Sequence, residues 1–223
     1  IASARRIGLP EEFERIGSDR VRHICRSPVF RVGTFAPTVA TVHPGRLALG
    51  LRSALISRGV RVFENSPATR LSSEGRRAVV KTRHGSVSSN SGIVTSGVAS
   101  AGWKGLRREV TLTSSHLVIT EPVPDILSEI GWTGGEAIVD SRTLVHYMRT
   151  TEDGRIAFGW GGGRIGWGTL PRPADSVSSA LVERVADDLR RFFPQLEGRR
   201  VDHAWGGPID ASPDHLPRAT HPR

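Results

Sequence analysis

The stretch Ser91-Gly-Ile-Val-Thr-Ser-Gly-Val-Ala-Ser-Ala101 lies near the middle of the chain and indicates its fold class. Ile93 and Val94 predict a short buried strand, and Thr95, Ser96 and Gly97 then form a small turn with open backbone. In α/β proteins, a strand that ends in Ser-Gly brings bare backbone up to a flat or phosphorylated ligand. Taken alone, the pattern also fits a buried strand followed by an ordinary loop. The flanking sequence is needed to distinguish this loop from a turn that faces a ligand.

The segment before this stretch has the pattern of an α/β unit. A helix is predicted at Pro44–Arg58, because Leu47, Leu51 and Leu55 share one face and Gly59 supplies the stop. A strand is predicted at Val60–Phe63, followed by a hairpin of Ala78–Thr82 and Ser86–Ser88.

The second half of the chain predicts an antiparallel sheet with helices on one side. Two short helices are predicted before residue 40, at Pro10–Ile16 and Ser18–Cys25. Later in the chain, strands are predicted at Val110–Thr120, Glu136–Val139, Thr143–Arg149, Arg155–Trp160 and Val201–Trp205, with helices at Pro124–Ile130 and Asp175–Phe193.

Composition and charge limit the classes of function. The formal net charge is +9, and all basic residues except Lys81 and Lys104 are arginines, which raises the question of nucleic acid. The arginines are scattered pairs with no basic run and no interleaved aromatics, so we expect no nucleic-acid partner. Cys25 is the single cysteine, which excludes an internal disulfide and a cysteine zinc cluster. With no stretch of about 20 apolar residues, we expect no membrane span and a cytoplasmic location.

Two further patterns are weak guides to chemistry. Gly161–Gly166 formally matches Gly-x-Gly-x-x-Gly, but Pro171 and Pro173 prevent the helix that a dinucleotide fingerprint must open. We therefore interpret it as a loop whose backbone approaches a ligand or a neighbouring ring. His146 lies inside a predicted strand and is expected to be a packed or surface side chain rather than a ligand. We predict no metal site and no catalytic acid–base residue.

Seven stretches together carry a family resemblance. In their order and spacing they resemble the FAD-dependent oxidoreductases of the D-amino-acid oxidase and glycine oxidase superfamily, and especially the branch that oxidises amines, including γ-glutamyl-type amines. The stretches are Ala40–Leu47, Arg58–Glu64, Ser66–Leu71, Ile93–Val98, His146–Arg149, Asp153–Gly159 and Trp205–Asp210.

The resemblance implies a mixed α/β and α+β fold, with a partial FAD-binding Rossmann-like domain and an antiparallel-sheet substrate domain. Residues 41–103 correspond to the FAD-binding part. Residues 1–40, helical and extended, join residues 104–208 in the substrate domain, and residues 209–223 begin the return to the FAD domain. The family's pyrophosphate-binding glycine unit is expected before residue 1, and a segment closing over the flavin is expected after Pro217.

The resemblance also assigns site residues. It implies that Thr95, Ser96 and Gly97 lie against the FAD and that Ala68 presents backbone groups to the adenine. It places Tyr147, the only tyrosine, on a strand facing substrate; the alternative is a core tyrosine on a hairpin. The family's carboxylate-binding arginine would fall near Ile209, which favours an amine over an amino acid.

The function implied by the resemblance is oxidation of a carbon–nitrogen bond in a small-molecule amine or amino acid. Hydride passes to the flavin, and the resulting imine hydrolyses. One alternative is a non-catalytic binding or regulatory chain that keeps the family's substrate domain. Another is a basic nucleic-acid-binding protein. If the enzyme reading holds, residues 1–223 alone are expected to bind FAD weakly and to be inactive.

Overall fold

The computed structural model describes residues 6, 8, 12–103, 111–163, 178–212 and 216. The chain divides into a smaller compact unit, Val42–Ser96, and a larger one that combines Ile1–Thr41 with Gly97–Arg223.

Strands and helices alternate irregularly along the chain. In order they are β1 (Glu14–Ile16), α1 (Ser18–Ile24), β2 (Gly33–Phe35), α2 (Pro44–Ser57), β3 (Arg70–Glu74), β4 (Arg77–Lys81), β5 (Ser86–Ser89), β6 (Thr111–Thr120), α3 (Pro124–Ile130), β7 (Ile138–Val139), β8 (His146–Thr150), β9 (Ile156–Trp160), α4 (Ser179–Phe192) and β10 (Val201–Ala211). A 3₁₀ helix, Gly97–Gly102, precedes β6.

The smaller unit contains α2 and a three-stranded antiparallel sheet in the order β3-β4-β5. At the start of α2, the Nδ1 atom of His43 accepts a hydrogen bond from the backbone N–H of Arg46 at 3.2 Å, and Pro44 occupies the first turn. The helix stops before Gly59, whose φ of +81° lies in the left-handed region that favours glycine. The predicted helix and the predicted β4–β5 hairpin are therefore confirmed.

Two predicted strands of this unit are wrong. Residues 60–63 and Ile93–Val94 have no strand conformation, and Phe63 and Ile93 are exposed. A short apolar run becomes a strand only when another strand pairs with it, and no described strand pairs with either segment.

The larger unit is built on a five-stranded antiparallel sheet in the order β10-β6-β9-β8-β7. The predicted final strand extends beyond Trp205 to Ala211, because β10 pairs with β6 along the whole length of that strand. The predicted mixed α/β and α+β fold class is confirmed. The predicted helix cap at Asp175 lies outside the described residues, within which α4 begins after Ser178.

The prediction of a helix over Pro10–Ile16 is wrong at its C-terminal end. Glu14–Ile16 is a strand that pairs with Gly33–Phe35, and this pairing places Ile16 in a buried position. The acidic residues and Pro10 gave a local helix signal, but tertiary pairing overrode it.

One face of the large sheet forms the main core against α3 and α4. The predicted apolar face of α4 is buried there, through Val185, Leu189 and Phe192. Since side chains alternate along a strand, the neighbours of the core residues point away from α4. This opposite surface, called the open face below, carries Ser115 and Leu117 of β6, Tyr147 of β8, Gly159 of β9, and Trp205 and Ile209 of β10.

Candidate functional site

Tyr147 lies on the open face with its ring across the neighbouring strand β9. Its direct partner there is Gly159, which in turn pairs with Leu117 of β6. A Cβ atom on Gly159 would lie 2.4 Å from the Cε2 and Cζ atoms of the tyrosine ring. Only a glycine at this position lets the ring lie over β9 and reach towards β6.

The Tyr147 hydroxyl is one end of a short chain of hydrogen bonds. It bonds to the Oγ atom of Ser115, and Ser115 Oγ also donates to the backbone carbonyl of Trp160 at 3.2 Å. Burial raises the pKa of Tyr147. The phenol is therefore neutral near neutral pH and can act as a donor or an acceptor.

Apolar side chains of β10 lie on the same face. Trp205 and Ile209 are 41% and 42% exposed, which is unusual for such large apolar side chains in a strand. A surface with an aromatic wall, an aliphatic side chain and a hydroxyl pair has the character of a small-molecule site. Sequence reasoning assigned Tyr147 to the substrate side, named Ile209 only as the position near which the family's arginine would fall, and missed Ser115 and Gly159.

Signals for the two missed residues were present in the sequence. Ser115 lies at an odd-numbered position of β6, in phase with Leu117, and a glycine inside a strand marks a close approach of another group. Finding the pair required the register between β6, β9 and β8, which no local pattern contains.

The glycines that follow Trp160 are explained by packing. A Cβ atom on Gly162 would lie 1.8 Å from the Trp160 ring, and one on Gly163 would lie 2.1 Å from Ser114 Oγ. The Gly163 N–H also donates to the Ser114 carbonyl at 3.0 Å. The first three residues of the Gly161–Gly166 stretch thus approach a neighbouring ring and strand, and its remainder lies outside the described residues.

His146 is a packed side chain, as expected, but it carries a buried network that the sequence did not reveal. It is 3% exposed on the core face; its Nδ1 lies 2.8 Å from Asp140 Oδ2 and its Nε2 lies 3.0 Å from Asp188 Oδ2. Each of these bonds joins one ring nitrogen to a carboxylate oxygen, and Arg142 Nη1 lies 3.2 Å from the same Nδ1 atom. The histidine thereby ties the β7–β8 loop to α4.

The Asp140 carboxylate of this network is held ionised. Burial alone would raise the pKa of Asp140, but hydrogen bonds from the His146 ring, the His146 backbone and the Arg142 backbone bring it below its ordinary value. Asp188 also forms an ion pair with Arg191, whose Nη2 atom lies 2.8 Å from Asp188 Oδ1. This cluster faces the core, so its role is to hold the sheet and helix together.

The residues expected to contact a flavin cofactor lie in exposed backbone outside the strand ladders. Ala68 is in the loop before β3, and Thr95 and Ser96 are the last residues of the smaller unit. Gly97 opens the 3₁₀ helix with φ +53°, and a Cβ there would meet nothing within 4 Å. Small side chains and open backbone suit contacts to a flat ring or an adenine. Gly97 and Tyr147 both belong to the larger unit, whereas Ala68, Thr95 and Ser96 belong to the smaller one.

Metal ligation, thiol chemistry and helix length can each be assessed within the described residues. No group of three or more His, Cys, Asp or Glu residues in that part of the chain could hold a metal ion. Cys25 is buried, and burial together with the nearby charge of Glu136 raises the pKa of its thiol to about 12. Within the same described ranges, every helix is too short or too polar to cross a membrane.

Solved structures share this fold. Glycine oxidase from Geobacillus kaustophilus superposes with a TM-score of 0.73 at 19% identity, covering 97% of this chain and 55% of that one. L-proline dehydrogenase from P. horikoshii gives a TM-score of 0.74 at 18% identity, covering 94% and 55%. The chain belongs to the FAD dependent oxidoreductase family, DAO, whose family model matches residues 1–223.

Curated relatives agree with this assignment. The probable oxidoreductase OrdL of Haemophilus influenzae is 26% identical over 197 residues, covering 86% of this chain and 42% of the relative. The gamma-glutamylputrescine oxidoreductase of Escherichia coli is 26% identical over 200 residues, covering 88% and 44%. The chain therefore spans about two-fifths of the length of these relatives. The predicted family and its FAD dependence are confirmed.

Proposed function

We propose that this chain is part of an FAD-dependent enzyme that oxidises a carbon–nitrogen bond in a small amine or amino acid. The observation that carries the proposal is the Tyr147–Ser115 hydroxyl pair on the open face, beside the exposed Trp205 and Ile209. The names of two relatives, a gamma-glutamylputrescine oxidoreductase and a glycine oxidase, support substrates of this kind.

The proposed function assigns cofactor binding and substrate binding to different parts of the chain. We propose that residues 41–103 belong to the FAD-binding domain and that residues 1–40 and 104–208 form the substrate domain, with residues 209–223 returning to the FAD domain. The backbone of Ala68, Thr95, Ser96 and Gly97 would hold the adenine and ring portions. When bound, FAD supplies the electron acceptor for the oxidation.

Substrate binding would fall to the open face. The Tyr147 hydroxyl would hold the polar end of the substrate, while Trp205 and Ile209 cover its apolar part and exclude water. The resemblance places the family's carboxylate-binding arginine near Ile209, and an isoleucine cannot pair with a carboxylate, so this position favours an amine over an amino acid.

The test uses the protein as its own organism makes it. The purified product should contain oxidised flavin, and anaerobic addition of primary or secondary amines should bleach the flavin absorbance, with amines acting at lower concentration than matched amino acids. Flavin that none of these compounds reduces would refute the proposal. A flavin-free protein that binds amines would instead support a non-catalytic binding chain.

Substitution of Tyr147 by phenylalanine checks the assigned contact. Loss of one hydrogen bond should cost about 0.5–1.5 kcal/mol, or more with a charged partner, and should raise KM or slow flavin reduction. Unchanged steady-state and reductive kinetics would leave Tyr147 as a packing residue.

A further inference from the structure

The hydrogen bonds around Ser115 fix the direction of a proton chain. The backbone carbonyl of Trp160 can only accept, so the 3.2 Å contact is a hydrogen bond only when Ser115 donates its single hydroxyl proton to it. Ser115 Oγ must then accept from its other neighbour, the Tyr147 hydroxyl. The tyrosine proton is thereby committed to Ser115, and only lone pairs of its oxygen remain for another partner.

We propose that Ser115 is a positioning residue that turns Tyr147 into a hydrogen-bond acceptor, so that the open face takes its substrate through an amine N–H rather than through a carboxylate. This proposal rests on the proposed function, because it specifies the polarity of the same site.

The surroundings of the hydroxyl pair are consistent with this polarity. Gly159 removes the side chain that would push the ring away from β6, so the Tyr147–Ser115 bond is built into the strand register. Ile209 offers no hydrogen-bond donor to a carboxylate oxygen. Arg149 lies two positions from Tyr147 along β8 on the same face, so the comparison of propylammonium with propionate also tests whether this arginine directs binding.

The direction of the proton is measurable at the Tyr147 hydroxyl in the protein as its organism makes it, which is the parent chain here. Labelling tyrosine with ¹³C at Cζ and comparison with Tyr147→Phe identify the Tyr147 signal, and in an equal mixture of H₂O and D₂O a slowly exchanging hydroxyl splits that signal in two. We expect two lines at low temperature for the parent chain and one averaged line for Ser115→Ala. One averaged line for the parent chain would overturn the proposal.

Matched variants separate positioning from folding. Ser114→Ala makes the same change at the adjacent residue, whose side chain points to the opposite side of the sheet, and it should keep two lines. Ser115→Thr retains a hydroxyl and should restore the two lines that Ser115→Ala loses. If Ser115→Ala fails to fold, the parent, Ser114→Ala and Ser115→Thr spectra still decide the assignment.

Two small probes test the consequence for binding. Propylammonium and propionate have similar size and opposite charge, and each is titrated against the Tyr147 Cζ signal at constant ionic strength. We expect propylammonium to bind about tenfold more tightly than propionate, and Ser115→Ala to abolish this preference. Preference for propionate, or a shift with neither probe, would overturn the acceptor role.

Neither experiment requires bound FAD. A negative result here would leave flavin-dependent oxidation intact with Tyr147 as a donor, whereas a failed flavin assay would leave the direction of this proton chain unaffected.

Discussion

Replacement of Gly159 by alanine should disrupt the hydrogen bond between Tyr147 and Ser115 without substituting either residue. The new Cβ would lie 2.4 Å from the Cε2 and Cζ atoms of the Tyr147 ring and 2.7 Å from its hydroxyl, whereas ordinary contact begins at 3.4 Å. The ring must therefore move by about 1 Å, which lengthens and misaligns its bond to Ser115. We expect a cost of about 1–3 kcal/mol in the free energy of unfolding.

The measurements are urea unfolding and the Tyr147 Cζ signal, with Gly161→Ala as the control. A Cβ on Gly161 would have the Val145 carbonyl oxygen, at 3.7 Å, as its nearest neighbour, so this variant should stay within about 0.5 kcal/mol of the parent. Equal stability and an equal Tyr147 signal in the two variants would refute the argument that Gly159 exists to seat the ring.

Three further predictions concern buried groups. His146→Ala should lower the unfolding free energy by about 2–4 kcal/mol in urea titrations, because two buried charge-assisted bonds are lost while Asp140 and Asp188 keep arginine partners; a loss below about 1 kcal/mol would contradict this. Alkylation of Cys25 should proceed only as fast as the protein unfolds, since its thiol is buried and its pKa is raised to about 12; rapid labelling of native protein would contradict this. Tyr147 should titrate above the ordinary value of about 10, and stability should fall as pH rises through its raised pKa, because the unfolded chain releases the proton first; a tyrosinate absorbance midpoint at or below that of free tyrosine would be the contrary result.

Elements with strong local signals were predictable from sequence. The helix α2 starts at a proline behind a capping His43 and stops before Gly59, and α3 ends at Gly131, which has φ +76°. The β4–β5 hairpin follows from a His-Gly turn between alternating strands. Each of these signals lies within a few residues of the element that it defines, so tertiary context changes little.

Features that depend on long-range pairing were not predictable. Glu14–Ile16 is a strand only because Gly33–Phe35 lies beside it, and residues 60–63 remain irregular without such a partner. The candidate site also depends on long-range strand pairing. Ser115 and Tyr147 are 32 positions apart, and their contact exists only because β9 lies between their strands with a glycine at the crossing.

The apolar face of α2 leads to the last prediction. Leu47, Leu51 and Leu55 fall on one face as predicted, yet they are 49%, 56% and 44% exposed, and α2 has no buried residue in the structure. Burying each leucine would contribute about 1.5–3 kcal/mol, so this face is suited to packing against more polypeptide. Since the chain spans about two-fifths of its relatives, we propose that the rest of an FAD-binding domain covers it.

Residues 1–223 expressed alone should therefore be poorly soluble and hold FAD weakly. The backbone at Ala68 and at Thr95 to Gly97 can supply adenine-side and ring-side contacts, whereas tight binding also needs backbone N–H groups at a helix N-terminus to meet the pyrophosphate. The sequence places no glycine fingerprint at such a helix, because Pro171 and Pro173 follow Gly161–Gly166. The assay is refolding with excess FAD followed by gel filtration. A protein peak that carries stoichiometric flavin absorbance would show that these residues suffice and that the exposed face of α2 needs no further domain.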